Sequence, residues 1–154
     1  MKTVVVALGL MAALALGALA EPVVLVAGQN YDAGWVTAIA QAGTLTILIT
    51  TENGWVLEET HVYVGTEPPT KSAPGRFPYK HDDLDGAEGD VYEIDLDEYG
   101  DICGSDLYIA VHAVVLGEGN EYGEETAWGE GDYIRPGKNW AMYFTTPVIC
   151  ALPQ

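Results

Sequence analysis

The sequence predicts an all-β protein, an antiparallel β-sandwich of immunoglobulin-like or related topology with about seven strands. Three observations predict it. Apolar residues alternate with threonine at period two in TLTILITT, Thr44–Thr51, which marks a strand with one face buried. Asn53 and Gly54 separate that run from WVLEETHVYV at residues 55–64, and Asn-Gly accepts positive φ at both central positions of a tight hairpin. Beyond the first twenty residues, no segment repeats apolar residues at helical spacing. A closed barrel is the alternative arrangement for the same strands.

Residues 1–20 read as a signal peptide. Lys2 precedes VVVALGLMAALALGALA, whose small residues Ala18 and Ala20 suit cleavage after Ala20, and Pro22 follows the expected cut. An uncleaved anchor is the other reading of this run, which has nearly the length of a membrane span. Residues 21–154 then make a single domain with one core.

PVVLVA at residues 22–27 is a β-branched run ended by Gly28, hence a first strand. Residues 35–41 form the second, and Thr44–Thr51 and residues 55–64 form the hairpin already named. Residues 66–89 hold Pro68, Pro69, Pro74 and Pro78 with no apolar period, so a long surface loop is expected there. Residues 91–96 alternate Tyr92, Ile94 and Leu96 with acids. LYIAVHAVVL at residues 107–116 is apolar on both faces apart from His112 and suits a central strand covered on both sides. The last strand runs from Trp140 to Cys150. Before it, residues 124–146 join a glycine-rich stretch to that strand and are read as the organising centre, a shaped loop bracketed by Trp128 and Trp140.

Two cysteines in an exported chain predict a disulfide. Cys103 precedes the central strand and Cys150 ends the last one, so antiparallel pairing of the two strands brings Cys103 to Cys150. Past the leader, five cations stand against 23 carboxylates, a net charge of −18. So acidic a surface repels phosphate backbones and anionic lipids. Nucleic acid is therefore not an expected partner, and the membrane is one only through an uncleaved leader.

Several side-chain groups carry possible chemistry. Asp83, Asp85, Asp95 and Asp97 lie in an acidic block that fails the EF-hand register at its ends, yet they supply the hard oxygens that Ca²⁺ takes in looser sites. A hydrated acidic surface is the other reading of the same residues. His61 follows Glu59 by two positions, so both project from one face of a strand; with His112 and Glu125 it would make a transition-metal or acid-base site. Satisfied core imidazoles are the commoner use of such residues. Trp128, next to Gly129, is expected to be exposed and with Tyr122 and Tyr133 to form a sugar-stacking platform, whereas Trp55 and Trp140 are expected in the core. Ser72 and Ser105 lack a nucleophile's context, and a small sandwich has little room for a catalytic cleft, so no enzyme is expected; a carboxylate pair acting on glycosides is the remaining enzymatic reading. Val23, Val24, Leu25 and Val26 pair within their own sheet or, through the connector Gly28, Gln29 and Asn30, add as a strand to a neighbour and build a fibre.

GWVLEETHVYVG, SAPGRFPY, LYIAVHAVV, ETAWGEG and NWAMYF, in that order, resemble a domain of exported and cell-surface proteins of bacteria and archaea that has no defined biochemical role. The similarity covers most of residues 44–144, with ETAWGEG its most specific part. The resemblance implies a secreted surface module and transfers no catalytic residue. The expected function is that of an extracellular structural or adhesive module, self-assembling through its N-terminal segment or contacting cell-surface components. The alternative is a calcium-supported carbohydrate-binding module.

Overall fold

The computed structural model describes residues 21–150, and the predicted signal peptide lies outside the described residues. Ten strands form: β1 (Val23–Ala27), β2 (Tyr31–Gln41), β3 (Thr44–Thr51), β4 (Trp55–Gly65), β5 (Tyr79–His81), β6 (Gly89–Asp95), β7 (Asp106–Gly117), β8 (Glu124–Gly129), β9 (Asp132–Tyr133) and β10 (Met142–Ile149). The all-β sandwich is as the sequence predicts, but the strands are ten and not seven. The three unforeseen ones, β5, β8 and β9, are short or lack alternation, so no periodic signal announces them. Among the described residues no helix is long and apolar enough to cross a membrane.

One layer runs β6-β3-β2-β1 and the other β5-β4-β7-β8. The expected hairpin of β3 and β4 is therefore corrected: Asn53 and Gly54 do turn the chain with positive φ, but the turn passes from one layer to the other, where β3 finds its partners in β2 and β6 and β4 in β5 and β7. They are continuous at one corner, where β1 pairs with β2 on one side and with β8 on the other. β10 links them again, parallel to β2 at Ala40 and Gln41 and antiparallel to β7 from Ile109 to Asp106. Between β6 and β4 the layers meet through an isolated bridge, Leu57 to Ala87, and through side chains. The buried Thr60 hydroxyl of β4 donates to Asp90 and bonds the Tyr92 hydroxyl at 2.7 Å, both on β6. The fold is thus a sandwich fastened along this edge by polar side chains, and not a fully paired barrel.

The alternation read from the sequence decides what goes inside. Leu45, Ile47 and Ile49 of β3 face Leu57, Val62 and Val64 of β4 and Leu107, Ile109, Val111 and Val115 of β7 across a single core. At about 25 cal/mol per Å² of apolar surface, each of these side chains contributes roughly 1.5–3 kcal/mol. As predicted, β7 is covered on both sides: its outward Ala110 packs into a second cluster with Phe77, Trp128, Ala141 and Met142. Phe77 comes from the proline-rich segment 66–89, which holds a 3₁₀ turn at Pro74–Arg76 and strand β5. That segment lies partly over the sheet, because its few apolar side chains find the uncovered face of β4 and β7.

Two bulges set side-chain direction. In β4 the register shifts between Leu57 and Glu59, which pair with the consecutive residues Val115 and Val114. Leu57 therefore points into the core while Glu59 and His61 point outward, a re-aiming that strict alternation forbids. In β2, Gly34 sits at φ +155° beside the other shift. A Cβ there would stand 1.9 Å from the Thr50 carbonyl oxygen of β3, so a Gly34→Ala variant must displace backbone. Its melting temperature should fall by roughly 5 °C or more, as expected for about 2 kcal/mol of strain; an unchanged melt would mean that the strand pair adjusts freely.

The disulfide joins Cys103 to Cys150 with Cα atoms 5.5 Å apart. The pairing that predicted it is present, Thr146 opposite Leu107 and Pro147 opposite Asp106. Beyond the ladder, Val148 N–H donates to Ser105 O and Gly104 N–H to Val148 O. The last strand is held to the seventh by backbone and by covalent bond.

Candidate functional site

The outer face of β4, β7 and β8 brings the distinctive side chains together. His61 pairs across the ladder with His112, and His112 with Trp128. The two Nδ1 atoms are 3.0 Å apart, so in the neutral pair one imidazole donates and the other accepts. The His112 ring lies 4.9 Å from that of Trp128. All three are buried, forming the floor of an open groove walled by Glu59, Ser72, Thr126, Asn139 and Trp140. Asn139 Nδ2 donates to the Ser72 hydroxyl at 2.8 Å and ties two walls of the groove together.

Burial first, and then the neighbouring His61 ring, lowers the His112 pKa to about 3. A cation there would lose its hydration with no carboxylate bonded to the ring. His112 is consequently a neutral imidazole at any ordinary pH. On the other side of His61, one ligand atom each of Glu59, His61 and Asp82 lie within 4.8 Å of one another. Asp82 follows β5 directly, and β5 sets Thr60 opposite His81, which carries the next residue to the level of Glu59.

The predicted histidine pair is therefore assembled, but its predicted carboxylate is not part of it. Glu125 sits opposite Val115 on β8, while Trp128 faces His112. Residues three apart on a strand project to opposite sides, and the Glu125 carboxylate lies instead against Gly28, within 2.9 Å of where a Cβ would stand. The carboxylates near His61 are those of Glu59 and Asp82. The relation of Glu59 to His61 was legible in the spacing, whereas the approach of Asp82 depended on how a long loop returns.

The four aspartates read as possible calcium ligands are not brought together. Asp83 and Asp85 precede β6, and Asp95 and Asp97 stand at its far end. Seven residues of strand separate the pairs by about 20 Å, and among the described residues none of the four joins a cluster able to hold a metal. Asp95 serves locally, accepting the Asp97 N–H at 2.9 Å.

The aromatic platform is corrected as well. Trp128 is 3% exposed, because the small residues beside it let the outer cluster close over its ring. Tyr122 stacks on Trp55 at 5.7 Å and packs tilted against Tyr31 at 4.2 Å, and Tyr133 stands exposed on β9. The exposed tryptophan is Trp35, at 40%. It lies with Val24, Thr37, Leu48 and Val91 on the outer face of β1, β2, β3 and β6. That face was missed because each residue looks unremarkable alone.

Val23, Val24, Leu25 and Val26 pair with β2 in the chain's own sheet, and Leu25 and Val26 pair on the other side with β8. The strand bound at home, which the sequence left open, is the observed one, and it gives a neighbour no free edge as it stands. Compared with known proteins, the chain matches no family model, no curated protein and no solved structure.

Proposed function

We propose that the protein is an extracellular structural and adhesive module whose molecules associate by exchanging β1. The observation that supports this reading is the position of that strand. β1 fills a slot between β2 and β8 and so closes the corner between the two layers. Cleavage after Ala20, which the leader predicts, leaves it joined to the domain at one end only. A strand so connected can enter the equivalent slot of a second copy with the same hydrogen bonds and the same buried Leu25 and Ala27, and repetition head to tail gives a filament.

The connector favours opening. Gly28 and Gln29 both have positive φ, +55° and +68°, and Asn30 N–H donates to Ala27 O in a tight reverse turn. Glycine accepts that conformation, but glutamine does so at a cost of about 1 kcal/mol that extension of the connector relieves. Surface chemistry agrees with self-contact. In a chain of net charge −17, Trp35, Leu48 and Val91 are 40%, 41% and 48% exposed on one face, bordered by Glu52, which accepts from the Trp35 indole at 3.1 Å, and this apolar group suits packing between molecules or against a cell-surface component.

The test is a pair of substitutions read by light scattering and electron microscopy over a concentration series. Gln29→Gly relaxes the closed turn and should reduce assembly, whereas Gln29→Pro forbids positive φ and should promote it. Monomers at every concentration for the unaltered chain and for Gln29→Pro would remove the proposal. The carbohydrate alternative now rests on Trp35 and not on Trp128, and a glycan array unaffected by Trp35→Ala would end it.

A further inference from the structure

We propose that Glu59, His61 and Asp82 form a binding site for a first-row transition-metal dication of the Zn²⁺ kind. The proposal is independent of strand exchange. It begins with what the backbone fixes. The bulge in β4 turns Leu57 inward and sends Glu59 and His61, two residues apart, out of the same face. Asp82 reaches that face from the segment that returns along β4, and its flanks are both hydrogen-bonded to that strand: His81 pairs with Thr60 before it, and Leu84 N–H donates to Glu58 O at 2.9 Å after it. The His81 ring turns away, bonded to Asp90 at 2.9 Å and stacked on Tyr92, while Asp82 projects toward Glu59 and His61.

The donor atoms converge and are free to bind. One from each of the three residues lies within 4.8 Å of the others. His61 Nδ1 is engaged with His112 Nδ1 at 3.0 Å, so the nitrogen left for a metal is Nε2. When His61 donates from Nδ1 to His112, its lone pair stands at Nε2, the arrangement in which a ligating histidine is held by its other nitrogen. The His61 ring is 7% exposed, and Nε2 makes no hydrogen bond with the described residues. Among those residues no fully buried side-chain nitrogen lacks a partner, so Nε2 opens to solvent and to an arriving ion. Neither carboxylate has a counter-charge, since among the described residues the one ion pair is that of His81 with Asp90. Two carboxylates gathered around a lone pair repel one another, and a dication turns that repulsion into attraction.

Ligand type narrows the ion. Ca²⁺ and Mg²⁺ take oxygen donors, whereas one imidazole with two carboxylates suits Zn²⁺ and its first-row neighbours. Three protein donors leave a fourth position to water, the count of an open zinc site. With metal–ligand bonds of about 2.1 Å a tetrahedral ion needs its donors roughly 3.4 Å apart. The carboxylates must therefore draw in by roughly 1 Å, which rotation of the Glu59 and Asp82 side chains supplies while the ring of His61 keeps its place on the strand. The acidic surface raises the local concentration of cations. Once bound, the ion fastens the chain beyond β5 to β4 and so secures the return of the proline-rich segment.

The experiment uses the unaltered chain without a histidine tag, dialysed against EDTA and titrated by calorimetry with Zn²⁺, Ca²⁺ and Mg²⁺. One Zn²⁺ per chain is expected, bound roughly 100-fold or more tightly than either oxygen-seeking ion, with a melting temperature that rises with zinc concentration. The chain has three histidines, so nitrogen NMR resolves each ring. Zinc should shift His61 Nε2 and leave a proton on His61 Nδ1. Asp82→Asn alters an exposed side chain and should weaken binding about 10-fold or more, as should Glu59→Gln, while His61→Gln should remove saturable binding. The NMR of the unaltered chain and the Asp82→Asn variant decide the matter even where His61→Gln fails to fold. Absence of one-to-one binding, Ca²⁺ held as tightly as Zn²⁺, coordination through His81 or through His61 Nδ1, or undiminished affinity in Asp82→Asn would each overturn the site.

Discussion

Replacing both cysteines, Cys103→Ser with Cys150→Ser, should lower stability by roughly 4 kcal/mol, the chain entropy that a bridge across 47 residues removes from the unfolded state. For a domain of this size the loss corresponds to a fall in melting temperature of roughly 10–15 °C. The bridge lies where β10 leaves the sheet, and the strand it anchors is one of the two that join the layers. The loss should therefore begin at one place. Hydrogen exchange in the double variant should rise first at Val148 and Gly104, whose N–H groups bond across the anchored end, before the central β4–β7 ladder opens. Equal melts for the oxidised protein and the double variant would show that backbone pairing alone holds β10. Uniform acceleration of exchange would show that the strand has no separate anchorage.

Acid should destabilise the metal-free protein through His112. Its pKa is about 3 in the folded state and about 6.5 in the unfolded chain. Above pH 6.5 neither state carries the proton and the difference is silent. As the pH falls below that value the unfolded chain takes up a proton that the folded one refuses, so stability falls until the folded pKa is reached. Between pH 7 and pH 5 the loss is about 2 kcal/mol from this group alone, in a range where carboxylates remain mostly ionised. The groups around the ring are His61 from β4, Trp128 from β8, Glu59 two residues before His61, and Ser72 and Asn139 from the covering segments. Of these only His61 and Glu59 titrate. Denaturant midpoints measured at pH 7, 6 and 5 for the unaltered chain and for His112→Gln check the point, since the variant should flatten the dependence. Parallel curves would mean that His112 is hydrated and ordinary.

The two expectations draw on different kinds of information. The disulfide was legible because a single antiparallel pairing fixes which strand ends meet, and the two cysteines lie at those ends. The imidazole pair was legible only as two histidines on strands. Their meeting required β4 and β7 to be neighbours in one register, and that register contains a bulge at Glu58 which no alternation rule announces. Glu125 failed as a third member for the same reason, since parity along β8 was set by Trp128 packing against His112. The calcium aspartates failed because a seven-residue strand separates them, and sequence density says nothing of that distance. Trp128 was misplaced because the segment expected as a surface loop at residues 66–89 instead lays Phe77 near its ring, 6.0 Å between centroids.

By itself the sequence determined the class of fold, the inward residues of β3 and β6, the tight turn at Asn53-Gly54 and the covalent link. These depend on local periodicity, turn chemistry and one pairing, each confined to a few neighbouring residues. Tertiary structure alone decided that β1 closes the corner between the layers, that β8 is a strand, and that Glu59, His61, His112 and Asp82 gather on one face. Such outcomes depend on register between segments remote in the chain. Register is chosen by the total burial of both layers, and a shift of one residue sends every side chain to the opposite side.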